Sequence, residues 1–129
     1  MADWTGGLPN DIDYMFPTRP ADPEMRESAS VWIFEENGAF ALPRVGIEAQ
    51  GLVWDTHRYD MNIAFADGRV LRESAHGKSQ SAIGLDGLPD TLGSDGLTFR
   101  CVEPFRRWAV SYQGEAWEEI GRASCRERV

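Results

Sequence analysis

The chain has 129 residues, with 21 acidic and 13 basic side chains and a formal net charge of −8 at pH 7. This length allows one domain or part of a larger protein. The acidic balance argues against nucleic acid and against an anionic membrane surface as partners. No apolar run reaches the roughly 18 residues of a membrane-spanning helix, and the first residues lack the basic and apolar regions of a secretory signal. We therefore expect a cytoplasmic protein without membrane insertion.

Residues 1–29 are predicted to form an N-terminal loop with one short helix. Asp22-Pro23-Glu24 places an N-cap candidate before a proline and an acidic residue, which is a helix-start signal. The helix can last only one or two turns, because a β-rich stretch begins at Ser30.

Residues 30–119 are predicted to form a β domain with two tight turns. Asn37-Gly38 lies between two apolar runs and predicts a hairpin with a type I′ turn, and Asp67-Gly68 predicts a second hairpin. Pro43 is expected at a bulge or a sheet edge, because proline cannot donate a ladder hydrogen bond.

The clearest strand pattern precedes Asp67, where alternate residues from Tyr59 to Phe65 are apolar. Residues 74–97 are rich in Gly, Ser and Asp and are predicted to be a long connection. Further strands follow from Thr98. Six or seven strands and no helix of ordinary length predict an all-β fold, an antiparallel sheet or partial barrel.

The last ten residues, 120–129, read IGRASCRERV and have no periodicity. This string is what results from translating a common sequencing-library adapter in frame, so we expect a non-native tail; a basic C-terminal extension is the alternative. Without the tail Cys101 is the single cysteine and no internal disulfide is possible. The native sequence is then expected to continue beyond about residue 119, which makes the chain a fragment.

The candidate catalytic residues are Asp55 and His57. Extending the face of Tyr59 backward by the period-2 rule brings both onto one side of the strand. A histidine beside a carboxylate can act as a general acid or base near neutral pH. The alternative is that both face water at a strand end.

Apolar side chains supply a candidate pocket for a hydrophobic ligand. The ligand-binding candidates are Trp32, Trp54, Tyr59, Met61, Phe99 and Trp108. Core packing explains them equally well, because aromatic residues are favoured in strands. Arg106 or Arg107 could pair with Glu103 across Pro104 or bind a ligand carboxylate, and solvated charges are the alternative.

We expect no metal and no dissociable cofactor. The two histidines, His57 and His76, have neither a second histidine nor a cysteine pair at zinc-ligand spacing. The glycine-rich stretch at residues 84–96 has neither dinucleotide-binding nor Walker spacing, and it lacks the order of a calcium loop.

The segments NDIDYMFPTRPADPEMRESASVWIF, GLVWD and FRCVEPFRRW resemble those of a group of uncharacterised bacterial proteins, over residues 8–117. That group is similar to the hydroxyneurosporene synthase (carotenoid hydratase) and AttH type of the lipocalin-like, or calycin, superfamily. The residues that match its recurring pattern are Trp54, Asp55, Glu103, Pro104 and Trp108. The resemblance implies two consecutive lipocalin-like β-barrel halves around a lipophilic ligand, of which this chain holds the N-terminal half and lacks its C-terminal partner.

The sequence and the resemblance together suggest a protein that binds a hydrophobic small molecule, such as an isoprenoid, steroid or fatty-acid derivative. If it is an enzyme, we expect hydratase- or cyclase-type acid–base chemistry, with Asp55 or His57 donating the proton and aromatic rings stabilising positive charge. A non-catalytic carrier and a structural β domain are the alternatives.

Overall fold

The fold is all-β, as predicted. The computed structural model describes residues 2–119 and 126–128, and the side chains of residues 2–118. Strands account for 53% of residues and helix for 3%, and the antiparallel sheets do not close into a barrel. No helix in this described part is long and apolar enough to cross a membrane.

In the described part of the chain, one 3-10 helix, Asn10–Asp13, precedes nine strands. The strands are β1 (Arg26–Phe34), β2 (Phe40–Gln50), β3 (Val53–Phe65), β4 (Val70–Lys78), β5 (Thr91–Ser94), β6 (Leu97–Glu103), β7 (Arg107–Tyr112), β8 (Trp117–Glu119) and β9 (Arg126–Arg128). One sheet has the order β1-β2-β3-β4-β8-β9 and the other the order β5-β6-β7.

No helix forms at Asp22, where the chain makes one hydrogen-bonded turn, so the predicted short helix is wrong there. The Asp22 side chain accepts the Glu24 N–H at 2.9 Å, and the Asp22 carbonyl accepts the Met25 N–H at 3.1 Å. The next residue, Arg26, already pairs with Gln50 of β2. The Asp22 side chain does cap a turn as expected, but the chain enters β1 at Arg26 and leaves no room for a helix.

Both predicted hairpins form, although the first turn differs in type. Gly38 has φ of +74° and Gly68 has φ of +93°, whereas Asn37 has no positive φ and type I′ is therefore excluded. In each turn an Asn or Asp side chain accepts a backbone N–H two residues later, from Ala39 and Arg69 respectively. The predicted bulge near Pro43 is confirmed, because the β1–β2 and β2–β3 registers both shift there.

The predicted connection over residues 74–97 is shorter than expected, since β4 runs to Lys78 and β5 begins at Thr91. Two glycines of this stretch allow close packing: a Cβ on Gly77 would clash with Ser94, and one on Gly93 would clash with the Gln80 side chain. Composition suggested a loop because it cannot distinguish a glycine needed for tight packing from one needed for a turn.

The two sheets diverge at β4. Its first residues pair with β8, and its last residues lead to an isolated bridge between Ser79 and Ser94 of β5. The sheet β5-β6-β7 then packs over the inner face of β2 and β3. The buried core consists of Met15, Val45, Ile47, Ala49, Tyr59, Met61, Leu92, Leu97 and Phe99. Strands β1 and β7 are each the end strand of a sheet, and a seam lies between them.

At the C-terminal end, β9 pairs with β8 through Trp117↔Arg128, Glu118↔Glu127 and Glu119↔Arg126. This pairing places residues 126–128 beside the strand that begins at Trp117. Residues 120–125 and 129 of the tail lie outside the described residues, and the non-native origin of the tail stays a prediction.

Candidate functional site

Three adjoining cavities follow the inner face of β1. The His57 cavity has about 250 Å³ and is lined by residues of β3, β5, the β4–β5 connection and the N-terminal segment. The seam cavity, of about 410 Å³, lies between β1 and the β6–β7 hairpin. The apolar cavity, of about 210 Å³, lies between the two sheets. Met15 and Glu27 line the first two, and Val31 and Val110 line the last two.

Residues 10–17, which we call the strap, form one wall of the His57 and seam cavities. Asp13 anchors the strap to the β6–β7 hairpin, since its Oδ2 accepts the Phe105 N–H at 2.7 Å and the Trp108 Nε1–H at 3.0 Å. Phe105 has φ of +60°, an uncommon conformation for a bulky residue, and the Asp13 contact stabilises it. The Cys101 thiol donates to the same oxygen at 3.7 Å.

The thiol stays protonated because burial and the Asp13 carboxylate raise the pKa of Cys101 to about 11. Further along the strap, the Met15 N–H donates to the Pro89 carbonyl at 2.8 Å, and the Phe16 N–H donates to Glu27 Oε2 at 3.2 Å. The strap is thus tied to three separate parts of the domain.

His57 lines its cavity and is only 3% exposed. Its Nδ1 lies 3.3 Å from the Gly93 carbonyl on β5, and the Trp54 ring meets it edge-on at a centroid distance of 5.2 Å. Its Nε2 is buried without a hydrogen-bond partner among the described residues. The predicted inward direction of His57 is therefore confirmed by the fold.

Burial lowers the pKa of His57 below its ordinary value of 6.5, while the carbonyls of Gly93 and Trp54 act in the opposite direction. Of those two carbonyls, only that of Gly93 has hydrogen-bond geometry. The ring is consequently neutral at pH 7. Because a carbonyl can only accept, Nδ1 carries the proton and Nε2 is the acceptor.

Glu27, on β1, is the carboxyl group that shares this cavity with His57. Burial raises the pKa of Glu27, and the N–H groups of Phe16 and Ser28 partly offset that rise. One cavity therefore holds an acid whose pKa is raised and a base whose pKa is lowered. Two titratable groups whose environments displace their pKa values in opposite directions are the usual pattern of an acid and a base with separate roles.

Two predicted site residues lie elsewhere. Asp55 is exposed, is not among the residues that line the His57 cavity, and contributes only its carbonyl, which accepts the Ser79 N–H at 3.0 Å. Trp32 is 58% exposed and stacks on Phe34 at 6.5 Å on the outer side of β1. For Trp32 the period-2 rule explains the result, because Glu27, Ala29 and Val31 take the inner face of β1.

The other predicted ligand-binding residues divide between cavity walls and core. Trp54 lines the His57 cavity, Phe99 and Trp108 line the seam cavity, and Met61 lines the apolar cavity. Tyr59 belongs to the core, 7% exposed, with its ring 6.3 Å from that of Tyr112.

The charged group around Pro104 forms an ion pair, since Arg106 Nε lies 3.5 Å from Glu103 Oε1. This is the pairing across the bend that the sequence left open, and neither residue lines the three cavities. No group of three or more His, Cys, Asp or Glu residues in the described part of the chain is placed to hold a metal ion.

Sequence reasoning missed Glu27 and Asp13. The alternation of Glu27, Ala29 and Val31 was a usable strand signal, but the helix expected from Asp22 hid it. Asp13 gave no local signal, because its partners Phe105 and Trp108 lie more than ninety positions away.

Comparison of the chain with protein-family models, with curated proteins and with solved structures gave no match.

Proposed function

We propose that this protein binds a hydrophobic small molecule in the cavities beneath the strap. The supporting observation is the series of three adjoining cavities along β1, with polar groups concentrated at the His57 end. Ligand sites are typically concave, mostly apolar and supplied with a few placed polar groups. The resemblance to lipocalin-like proteins of the carotenoid hydratase and AttH type, with a second half beyond this chain, is part of the proposal.

A neutral fluorescent dye, N-phenyl-1-naphthylamine, tests binding by the intact protein. We expect saturable enhancement of its emission and loss of that enhancement in Ala29→Phe, because Ala29 lines the seam cavity. Ala39→Phe, in the exposed β1–β2 turn, is the matched control. Equal dye binding by the two variants and the parent protein would place the dye outside these cavities and reject the proposal.

A second candidate function is acid–base addition of water to a ligand double bond. It is favoured by the opposite displacement of the Glu27 and His57 pKa values within one cavity. The Glu27 carboxylic acid protonates one alkene carbon, water attacks the resulting carbocation, and His57 Nε2 takes the released proton. A C–H and a C–O bond form while the π bond breaks; proton return from His57 to Glu27 completes the cycle.

This step is tested with an acyclic isoprenoid polyene in ¹⁸O-labelled water. Glu27→Gln is expected to abolish incorporation of the label, whereas Asp55→Asn is expected to leave it unchanged, because Asp55 is exposed outside the cavity. Label incorporation that survives Glu27→Gln but is lost in Asp55→Asn would reverse the assignment.

A further inference from the structure

The unpartnered nitrogen of His57 indicates what kind of ligand the cavity takes. Nε2 belongs to a side chain that is 3% exposed, and it is an acceptor because Nδ1 donates to the Gly93 carbonyl. Burying an acceptor without a donor is unfavourable, and nearly all such groups in folded proteins have a partner. A donor is therefore required on the Nε2 side of the ring.

Three of the polar side chains that line the cavity use their donors elsewhere. Ser79 Oγ donates to the Asp55 carbonyl, and Thr91 Oγ1 donates to Asp90. Gln80 Nε2 donates to the Asp95 carbonyl and to Thr98 Oγ1. A fourth, Ser81, accepts the Ile83 N–H at 3.2 Å and makes no hydrogen bond to His57 Nε2. We therefore assign the donor for His57 to a bound molecule.

Charge restricts that molecule further. No lysine or arginine lines any of the three cavities, whereas Glu27 lines two of them and Asp13 lines one. A ligand carboxylate would meet like charge and no counter-ion, which is costly in a partly buried site. Free fatty acids are disfavoured on this ground.

We propose that the His57 cavity binds an uncharged, hydroxylated apolar molecule, such as an isoprenoid alcohol, whose O–H donates to His57 Nε2. This inference rests on the proposed small-molecule binding and specifies its ligand class. The cavity, at about 250 Å³, is slightly below the usual size of roughly 300–1,000 Å³ for ligand pockets. The apolar tail is therefore placed in the adjoining seam cavity, past Met15 and Glu27.

Since Nε2 is itself covered, the hydroxyl reaches it by displacing a neighbouring side chain. Met15, on the strap, is the flexible unbranched residue of the cavity wall and is suited to that movement.

Four ligands with one carbon skeleton test the inference on the intact protein: geraniol, geranyl methyl ether, geranic acid and 2,6-dimethyl-2,6-octadiene. Their affinities are measured by displacement of N-phenyl-1-naphthylamine. We expect the alcohol to bind roughly tenfold more tightly than the ether, which has no donor, and than the acid. In His57→Phe the preference for alcohol over ether should disappear, whereas His76→Phe, on the exposed side of β4, should retain it.

A second measurement on the unmodified protein does not depend on the variant folding. In ¹⁵N-histidine-labelled protein, the Nε2 resonance of His57 should start as that of an unprotonated acceptor and shift on adding geraniol, but not on adding the hydrocarbon. An ether or acid that binds as tightly as the alcohol, or an unchanged Nε2 resonance, would overturn the ligand class while leaving small-molecule binding intact. Failure of all four ligands and of the dye would instead reject the proposed function.

Discussion

Trp108 donates its indole N–H to the carboxylate of Asp13 over 3.0 Å, joining residues 95 positions apart. The same oxygen accepts the Phe105 N–H at 2.7 Å. One side chain therefore holds the strap against the β6–β7 hairpin and closes the wall of the cavities that carry the proposed function.

Asp13→Ala is expected to lower the free energy of unfolding by about 2–3 kcal/mol, because it removes two charge-assisted hydrogen bonds and leaves their donors unpaired. Urea denaturation followed by tryptophan fluorescence measures the change. Asp11→Ala is the control, since Asp11 lies in the same 3-10 helix with an exposed side chain. Equal destabilisation by the two variants would show that the helix, and not the anchor, determines the effect.

His57 is expected to make stability depend on pH on the acid side of neutrality. Its folded-state pKa is below the ordinary 6.5, so the unfolded chain binds a proton that the native state does not. The corresponding stability is present above pH 6.5 and is lost as the pH falls toward the folded-state pKa. Urea midpoints between about pH 7.5 and about pH 5.5 should fall more steeply for the parent protein than for His57→Phe. Parallel curves for the parent protein and His57→Phe would show that His57 has the same pKa in the folded and unfolded states.

Glu27 is expected to act with the opposite sign. Its pKa is raised in the folded state, so its contribution is fully present below the unfolded-state pKa near 4.5 and is lost as the pH rises through the folded-state value. Glu27→Gln stays neutral and keeps an oxygen to accept the Phe16 N–H. It should therefore gain stability over the parent at pH 7 and lose that advantage on acidification. Glu36→Gln, in the exposed β1–β2 turn, should show no such trend.

The outer edge of β1 is expected to promote self-association. Trp32 and Phe34 are 58% and 67% exposed on a strand that ends its sheet, and exposed apolar edges favour strand pairing between molecules. In analytical ultracentrifugation, the sedimentation coefficient of the parent protein should rise with protein concentration. Replacing both residues with Thr should reduce that rise. Trp4→Thr, the control, removes a tryptophan that is 70% exposed and lies away from the strand. A similar decrease with this control would indicate general hydrophobic contact and not edge pairing.

Local patterns predicted the strands because they depend on neighbouring residues alone. Alternation from Tyr59 to Phe65 marked β3 and its buried face, and the Asn37-Gly38 and Asp67-Gly68 pairs marked two hairpins. The same alternation correctly turned His57 inward. The local capping signal at Asp22 gave a wrong prediction, because residues from Arg26 onward pair with β2 and no helix forms.

The candidate site was only partly predictable. Trp54, His57, Met61, Phe99 and Trp108 do line cavities, but Asp55 and Trp32 do not. The position of a residue in a strand predicts on which face its side chain lies. It does not predict which other residues cover that face. The residue that shares the cavity with His57 is Glu27, and no spacing rule relates the two, because β1 and β3 are separated by β2 in the sheet.

By itself the sequence determined an all-β chain with acidic surface charge, hairpins at defined turns and an inward-facing histidine, since these follow from the two-residue period of strands and from turn chemistry. Only the tertiary structure decided that the two sheets leave a seam between β1 and β7, that the strap covers this seam through Asp13, and that Glu27 shares a cavity with His57. Those features arise from contacts between residues distant in the chain, where burial and hydrogen-bond satisfaction depend on the whole fold.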